Sequence, residues 1–116
     1  MYKVIIAGCR DFTDYALLRS FADDALAGID DIEIVSGGAR GADALGERYA
    51  RERGRNLKVF PAEWEKWGAV AGPIRNSQMA GYADALFAFW DGKSAGTRDM
   101  IRKAEEKGLR VRVRMI

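Results

Sequence analysis

A chain of 116 residues is one domain by length, with 48% hydrophobic residues to fill a core and 31% charged residues to cover it. With no His and a single Cys, it excludes Ser-His-Asp and Cys-His catalysis, His metal sites, an internal disulfide and a structural zinc. The net charge is only +2, and setting aside Arg110, Arg112 and Arg114 leaves 16 of the 19 cations against 17 anions, which disfavours a broad nucleic-acid-binding surface.

The first residues, MYKVIIAGCRDF, hold too short an apolar run for a signal peptide, and no later run reaches the ~18 residues of a membrane span. With the lone Cys, the expectation is a cytoplasmic protein without a membrane partner. Residues 2–7 read instead as a buried parallel strand, because a strand covered on both faces loses its alternation. Leu18, Phe21, Ala22, Ala25, Leu26 and Ile29 then mark one helix face, capped by Thr13 or Asp14 and ended by Gly28. Residues 32–36 are a second strand. Ala42, Leu45, Tyr49 and Ala50 mark a second helix, stopped by Gly54.

Residues 57–60 are a third strand, stopped by Pro61. Residues 62–72 show no clean period and read as loop with room for one helical turn. Gly72–Pro73 start a helix over Ile74 to Tyr82, because Pro suits the first helical position. Residues 85–90 are a fourth buried strand. Thr97 to Lys107 is a helix with Thr97, Met100, Ile101 and Ala104 inward. Residues 109–113 alternate strictly, as an edge strand with one wet face does. This β-α alternation predicts a five-stranded parallel sheet, helices on both faces, in the order 3-2-1-4-5. Ligands in such folds sit beyond the carboxyl ends of the strands, where the strand order reverses.

Four loops meet there, and each carries Gly and a cation. They are Gly8-Cys9-Arg10-Asp11, Ser36-Gly37-Gly38-Ala39-Arg40-Gly41-Ala42-Asp43, the Gly72 to Asn76 stretch with Arg75, and Asp91-Gly92-Lys93-Ser94-Ala95-Gly96-Thr97. Gly lets backbone approach a ligand closely, and a helix N-terminus beyond the loop offers N–H groups to an anion. Arg10, Arg40, Arg75 and Lys93 add charge suited to phosphate. The second and fourth loops together form the expected phosphate or ribose cradle, so that replacing Gly38 by Val should block it and spare the fold. A plain strand–helix turn is the alternative for either loop alone. Asp43 and Thr97 could serve only as helix caps.

Without His, carboxylates must do any acid–base work, and Asp11, Asp43, Glu63, Glu65, Asp91 and Asp99 lie in or beside the loops. Asp99 stands four residues before Lys103 and reads better as a surface pair. Cys9 reads better as a small buried thiol than as a nucleophile. Trp90 ends an apolar strand and belongs to the core, whereas Trp64 and Trp67 are candidates to stack a base over the site.

IIAGCRDFTD, VSGGARGADALGERYA, FPAEW, AGPIRN and ADALFAFWDGKSAGTRDMI resemble the YspA-type (cpYpsA-related) branch of the SLOG superfamily, over roughly residues 3–108. These are Rossmann-like three-layer α/β domains related to the DNA-processing protein DprA and to LOG phosphoribohydrolases. The resemblance implies a bacterial or phage domain that binds a nucleotide or a nucleotide derivative such as an ADP-ribose-like ligand. It implies no required cofactor and no metal, only a bound nucleotide or phosphate, and a homodimer as in LOG-type domains. Arg75, Met79 and Asp84 fall at the spacings of the LOG pattern, but Asn76 replaces its Lys. Gly96-Thr97 keeps part of the phosphate loop. Met100 stands where LOG enzymes have their catalytic Glu, and Met cannot stabilise an oxocarbenium ion or activate water. Binding without turnover is therefore the expectation, with N-glycosidase action and a DprA-like nucleic-acid-binding role as the alternatives.

Overall fold

A computed structural model describes residues 1–116. Five parallel strands, β1 (Tyr2–Gly8), β2 (Ile32–Ser36), β3 (Asn56–Val59), β4 (Ala85–Trp90) and β5 (Arg110–Met115), lie in the order β3-β2-β1-β4-β5. The reversal falls between β1 and β4, as the strand–helix alternation requires. Side chains of β1 alternate between two cores. Val4 and Ile6 pack with Leu18, Ala22, Ala42 and Tyr49 from α1 (Tyr15–Ala25) and α2 (Ala42–Glu52). Ile5 and Ala7 pack with Met79, Ala80, Met100 and Ala104, carried by α4 (Ala71–Tyr82) and α5 (Ala95–Glu106). The expected three layers are present, and no helix is long and apolar enough to cross a membrane.

The helix ends differ from the sequence reading in instructive ways. Asp14, not Thr13, caps α1, its carboxylate accepting the Leu17 N–H at 3.1 Å. The α2 N-cap is Gly41, which has no side chain to offer, and Asp43 does not cap it. Ser94 caps α5, so that helix starts two residues before Thr97. Residues 64–67 form a one-turn helix, α3, followed by a 3-10 turn at Gly68–Val70 that runs straight into α4. Pro73 therefore occupies the third helical position. A missing N–H costs nothing anywhere in a first turn, so Pro marks the start of a helix only to within a few residues. The third strand spans 56–59 and the fifth extends to 115.

Two contacts seat the helices close to the sheet ends. A Cβ at Gly46 would meet Ile6 at 2.8 Å, so α2 lies flush on β1. A Cβ at Gly8 would lie 2.2 Å from the Phe89 carbonyl oxygen, so the chain leaving β1 hugs the end of β4. Phe12 stacks on Phe89 at 5.3 Å between ring centroids, which pins the loop that follows β1.

Candidate functional site

At the carboxyl ends of β1 and β4 lies a cavity of about 630 Å³, lined by the β1–α1, β2–α2 and β4–α5 loops and by α4. A second recess of about 440 Å³ adjoins it and shares Arg10, Ala39, Arg40, Trp64 and Arg75 with it. The loops brace one another before any ligand arrives. The Cys9 carbonyl accepts N–H groups from both Phe12 and Ala42, which ties the first loop to the second. Arg75 crosses from α4 to donate to the Gly37 carbonyl, and its Nε donates to Asn76 Oδ1 at 3.0 Å. Asn76 in turn donates to the Gly96 carbonyl at 3.3 Å and to Asp99 Oδ2 at 3.0 Å, joining α4 to the first turn of α5.

Asp43 is the one buried carboxylate of the cavity, 5% exposed. Its Oδ2 accepts the Ala39 N–H at 3.2 Å, and its other oxygen has no donor within the chain. Burial raises its pKa from an ordinary 3.8 to about 6; the Ala39 N–H and the charges of Arg75 and Arg10 hold it from rising further, and Glu47 pushes upward. A carboxyl with a raised native pKa costs nothing while both states are protonated. The cost grows as pH rises from about 4 to about 6 and is constant above. The parent should therefore lose up to about 3 kcal/mol across that window relative to Asp43→Asn, two units at ~1.4 kcal/mol each. Urea unfolding of both proteins at pH 4.5, 5.5 and 7 tests this, and a parent–variant difference that does not change with pH would refute it.

Asp99 behaves differently. Burial works against its ionisation, but bonds from Asn76, Lys103 and Arg102 outweigh burial and hold its carboxyl below the usual range. The pair with Lys103, 3.0 Å, is present as the spacing predicts, yet Asp99 also faces the cavity. Burial pushes the Cys9 thiol up, away from the thiolate form that a nucleophile needs.

The anion-binding groups are fewer than two Gly-rich loops promise. The N–H groups of Gly38 and Ala39 already serve Ser36 Oγ and Asp43, and that of Ala42 serves Cys9. In the fourth loop, Lys93 and Ser94 donate to Asp91, whereas the N–H groups of Ala95 and Gly96 have no acceptor in the chain. Open amides thus remain on both sides of the cavity, at Ala95 and Gly96 at the start of α5 and at Gly37 and Arg40 in the β2–α2 loop, which also supplies the Arg40 guanidinium. Gly38 also has φ +74, and a Cβ there would lie 3.2 Å from Val59, so a valine would strain the backbone as well as fill the recess.

Comparison with known proteins places the family and the fold. The pattern of the YspA, cpYpsA-related SLOG family matches residues 2–67. Gene 61 protein of Mycobacterium phage D29 is 38% identical over 119 residues, covering 96% of this chain and 94% of that protein. The chain belongs to the YspA, cpYpsA-related SLOG family. Two solved structures share the fold of this SLOG domain. DNA processing protein A (DprA) from Streptococcus pneumoniae has a TM-score of 0.77 at 17% identity, covering 97% of this chain. The SLOG domain spans only half the length of that DprA chain. TM1055 has a TM-score of 0.70 at 21% identity, covering 96% of this chain and 72% of its own.

Within the SLOG domain, Gly8, Arg10, Ala39, Arg40, Asp43, Arg75, Asn76, Ser94, Gly96 and Thr97 line the main cavity, and Gly37 and Gly38 line the adjoining recess. Trp64 lines both; Trp67 lines neither, although both rings are about half exposed. Cys9, Ser36, Gly41 and Asp91 line neither: Cys9 and Ser36 are buried behind the wall, and the exposed Asp91 carboxylate holds the Lys93 and Ser94 N–H groups of the fourth loop. Ser36 is fully buried and donates to Glu47 Oε2 at 2.7 Å. Met79, which the resemblance placed at a LOG-pattern spacing, and Met100, which it placed at the catalytic-Glu position, form the apolar floor of the cavity. Pro73 and Ala95 also line the cavity; both lie in the expected loops but had no binding role assigned, since neither offers a polar side chain.

Proposed function

We propose that this SLOG domain binds a nucleotide or a nucleotide derivative such as ADP-ribose and holds it without turning it over. The observation that carries this reading is the convergence on one cavity of two kinds of anion partner. Arg10 and Arg40 have no acidic partner in the chain, and the Ala95 and Gly96 amides point from a helix N-terminus. The volume suits a ligand of nucleotide size. Trp64 at the rim offers a ring to a base. An apolar floor at Met100 supplies neither acid nor base.

A thermal-shift series with phosphate, AMP, ATP, ADP-ribose and NAD tests the reading. A ligand at about 100 times its Kd adds ~2.7 kcal/mol, a rise of several degrees in Tm. Gly96 has open space where a Cβ would stand and no positive φ, so Gly96→Val should leave Tm without ligand near the parent value and remove most of the ligand shift. No shift with any of the five compounds at millimolar concentration would overturn the reading.

Asp43 favours a second reading, hydrolysis of the glycosidic bond of a nucleoside phosphate, because a carboxylate with one unpartnered oxygen faces the cavity. Chromatography of nucleoside monophosphates incubated with the protein separates the two. Free base released over many turnovers, and lost in Asp43→Asn, would establish the enzyme.

A further inference from the structure

Away from the cavity, the two edges of the sheet are built differently. β3 has four residues, includes Lys58 and runs into Pro61, which blunts an edge by brevity, charge and a missing donor. β5 is six residues long and has no Pro. The N–H groups of Arg110 and Ile116 bond carbonyls on the β4 side, at Asp84 and Trp90. By the two-residue period, the backbone groups of Val111, Val113 and Met115 face the open side. The carbonyl of Met115 is covered only by the neighbouring Arg114 guanidinium, at 2.6 Å.

The side chains of β5 divide as cleanly. Arg112 and Arg114 stand beside Phe87 and Phe89 on the α1 face of the sheet, with Arg110 in line. None of the three has an acidic partner in the chain. Val111 and Val113 stand beside Leu86 and Ala88 on the other face. Val113, Met115 and Ile116 are 40%, 49% and 43% exposed. Arginines that merely guarded the edge would leave no reason for an open apolar row beside them.

We propose that β5 is a docking edge for an extended acidic peptide, which adds a sixth strand with acidic residues alternating with apolar ones. Paired residues on neighbouring strands share a face, so carboxylates spaced two apart would meet Arg110, Arg112 and Arg114 at the same period. The intervening apolar residues would cover Val111, Val113 and Met115. A second copy of this chain fits worse, because antiparallel pairing of two β5 strands would bring six guanidiniums onto one face. A single-stranded nucleic acid would meet the arginines but leave the backbone groups and the apolar row unpaired.

Fluorescence anisotropy with a labelled octapeptide of alternating Glu and Val tests this, beside a peptide of the same composition with its acids in one block and a labelled oligothymidylate. The alternating peptide should bind about tenfold more tightly than the block peptide and than the oligonucleotide. V113P removes one outward N–H but no bond to β4, and should weaken the alternating peptide about tenfold with its fold verified by circular dichroism. R112E/R114E should do the same without touching the backbone. In amide exchange read by NMR, the Val111, Val113 and Met115 N–H groups should slow when the peptide binds. Equal binding of the block peptide, tighter binding of the oligonucleotide, a concentration-dependent dimer lost in V113P, or no binding of the alternating peptide would each overturn the proposal.

Discussion

Replacing Arg75 with alanine is expected to weaken nucleotide binding ten- to a hundredfold, the equivalent of about 1.5–3 kcal/mol for a charge-assisted contact. The side chain is half-buried between α4 and the β2–α2 loop, and its direct bonds are to Gly37 and Asn76. Part of the loss would therefore come from position: without the guanidinium, the Gly37 carbonyl loses its donor and Asp43 loses one of the two cations that restrain its pKa. Arg75→Lys should recover only a fraction, because one ammonium on a flexible stem cannot hold both bonds. Calorimetric titration with ADP-ribose, or with whichever of the five compounds shifts the parent most, gives the ratio. Affinity for that compound unchanged in Arg75→Ala would remove Arg75 from the site.

Gly41→Ala is expected to cost about 3–5 kcal/mol of stability, enough to lower Tm by more than about 10 °C. Gly41 has φ +76 and ψ −129, a region closed to residues with a Cβ. An added Cβ would also meet the Cys9 carbonyl oxygen at 2.3 Å and the Arg10 carbonyl carbon at 2.5 Å, both backbone atoms without freedom to retreat. Gly81→Ala is the internal control. It lies inside α4 with no positive φ and nothing within 4 Å of a Cβ, so it should stabilise by about 0.5–1 kcal/mol. A Gly41→Ala protein as stable as the parent would mean that the first two loops do not pack as described.

The sheet order was legible because each strand is a short apolar run and each crossover a periodic helix, which leaves few right-handed arrangements. The cavity wall was partly legible too: Arg10, Arg40 and Gly96 are cations or glycines at strand–helix turns that the topology alone gathers, and Arg75 lies near the start of α4 at the same sheet end. Asp43 could be seen as a loop carboxylate or a helix cap, but not as a buried one. That its carboxylate turns back to Ala39 and loses water depends on Gly37 and Arg75 closing over it, across 38 residues between the latter two. Asp99 and Lys103 were visible at helical spacing, whereas the bond from Asn76 to Asp99 spans 23 residues and has no local signature. The 64–70 stretch could be read no further than a loop with room for one helical turn, because a four-residue helix followed by a 3-10 turn is shorter than the period that would fix its bounds. The spending of loop amides on Ser36, Asp43 and Cys9 escaped for the same reason as the burial of Asp43.

Because the Gly37 carbonyl, Arg75, Asn76, Gly96 and Asp99 form one chain of bonds, the cavity exists only when both sheet halves are in place. A bound ligand would then act on the slowest breathing motion of the molecule and leave the fraying of its surface unchanged. Amides in β1 and β4 would gain protection in step with ligand concentration, while those in α3 would exchange as before.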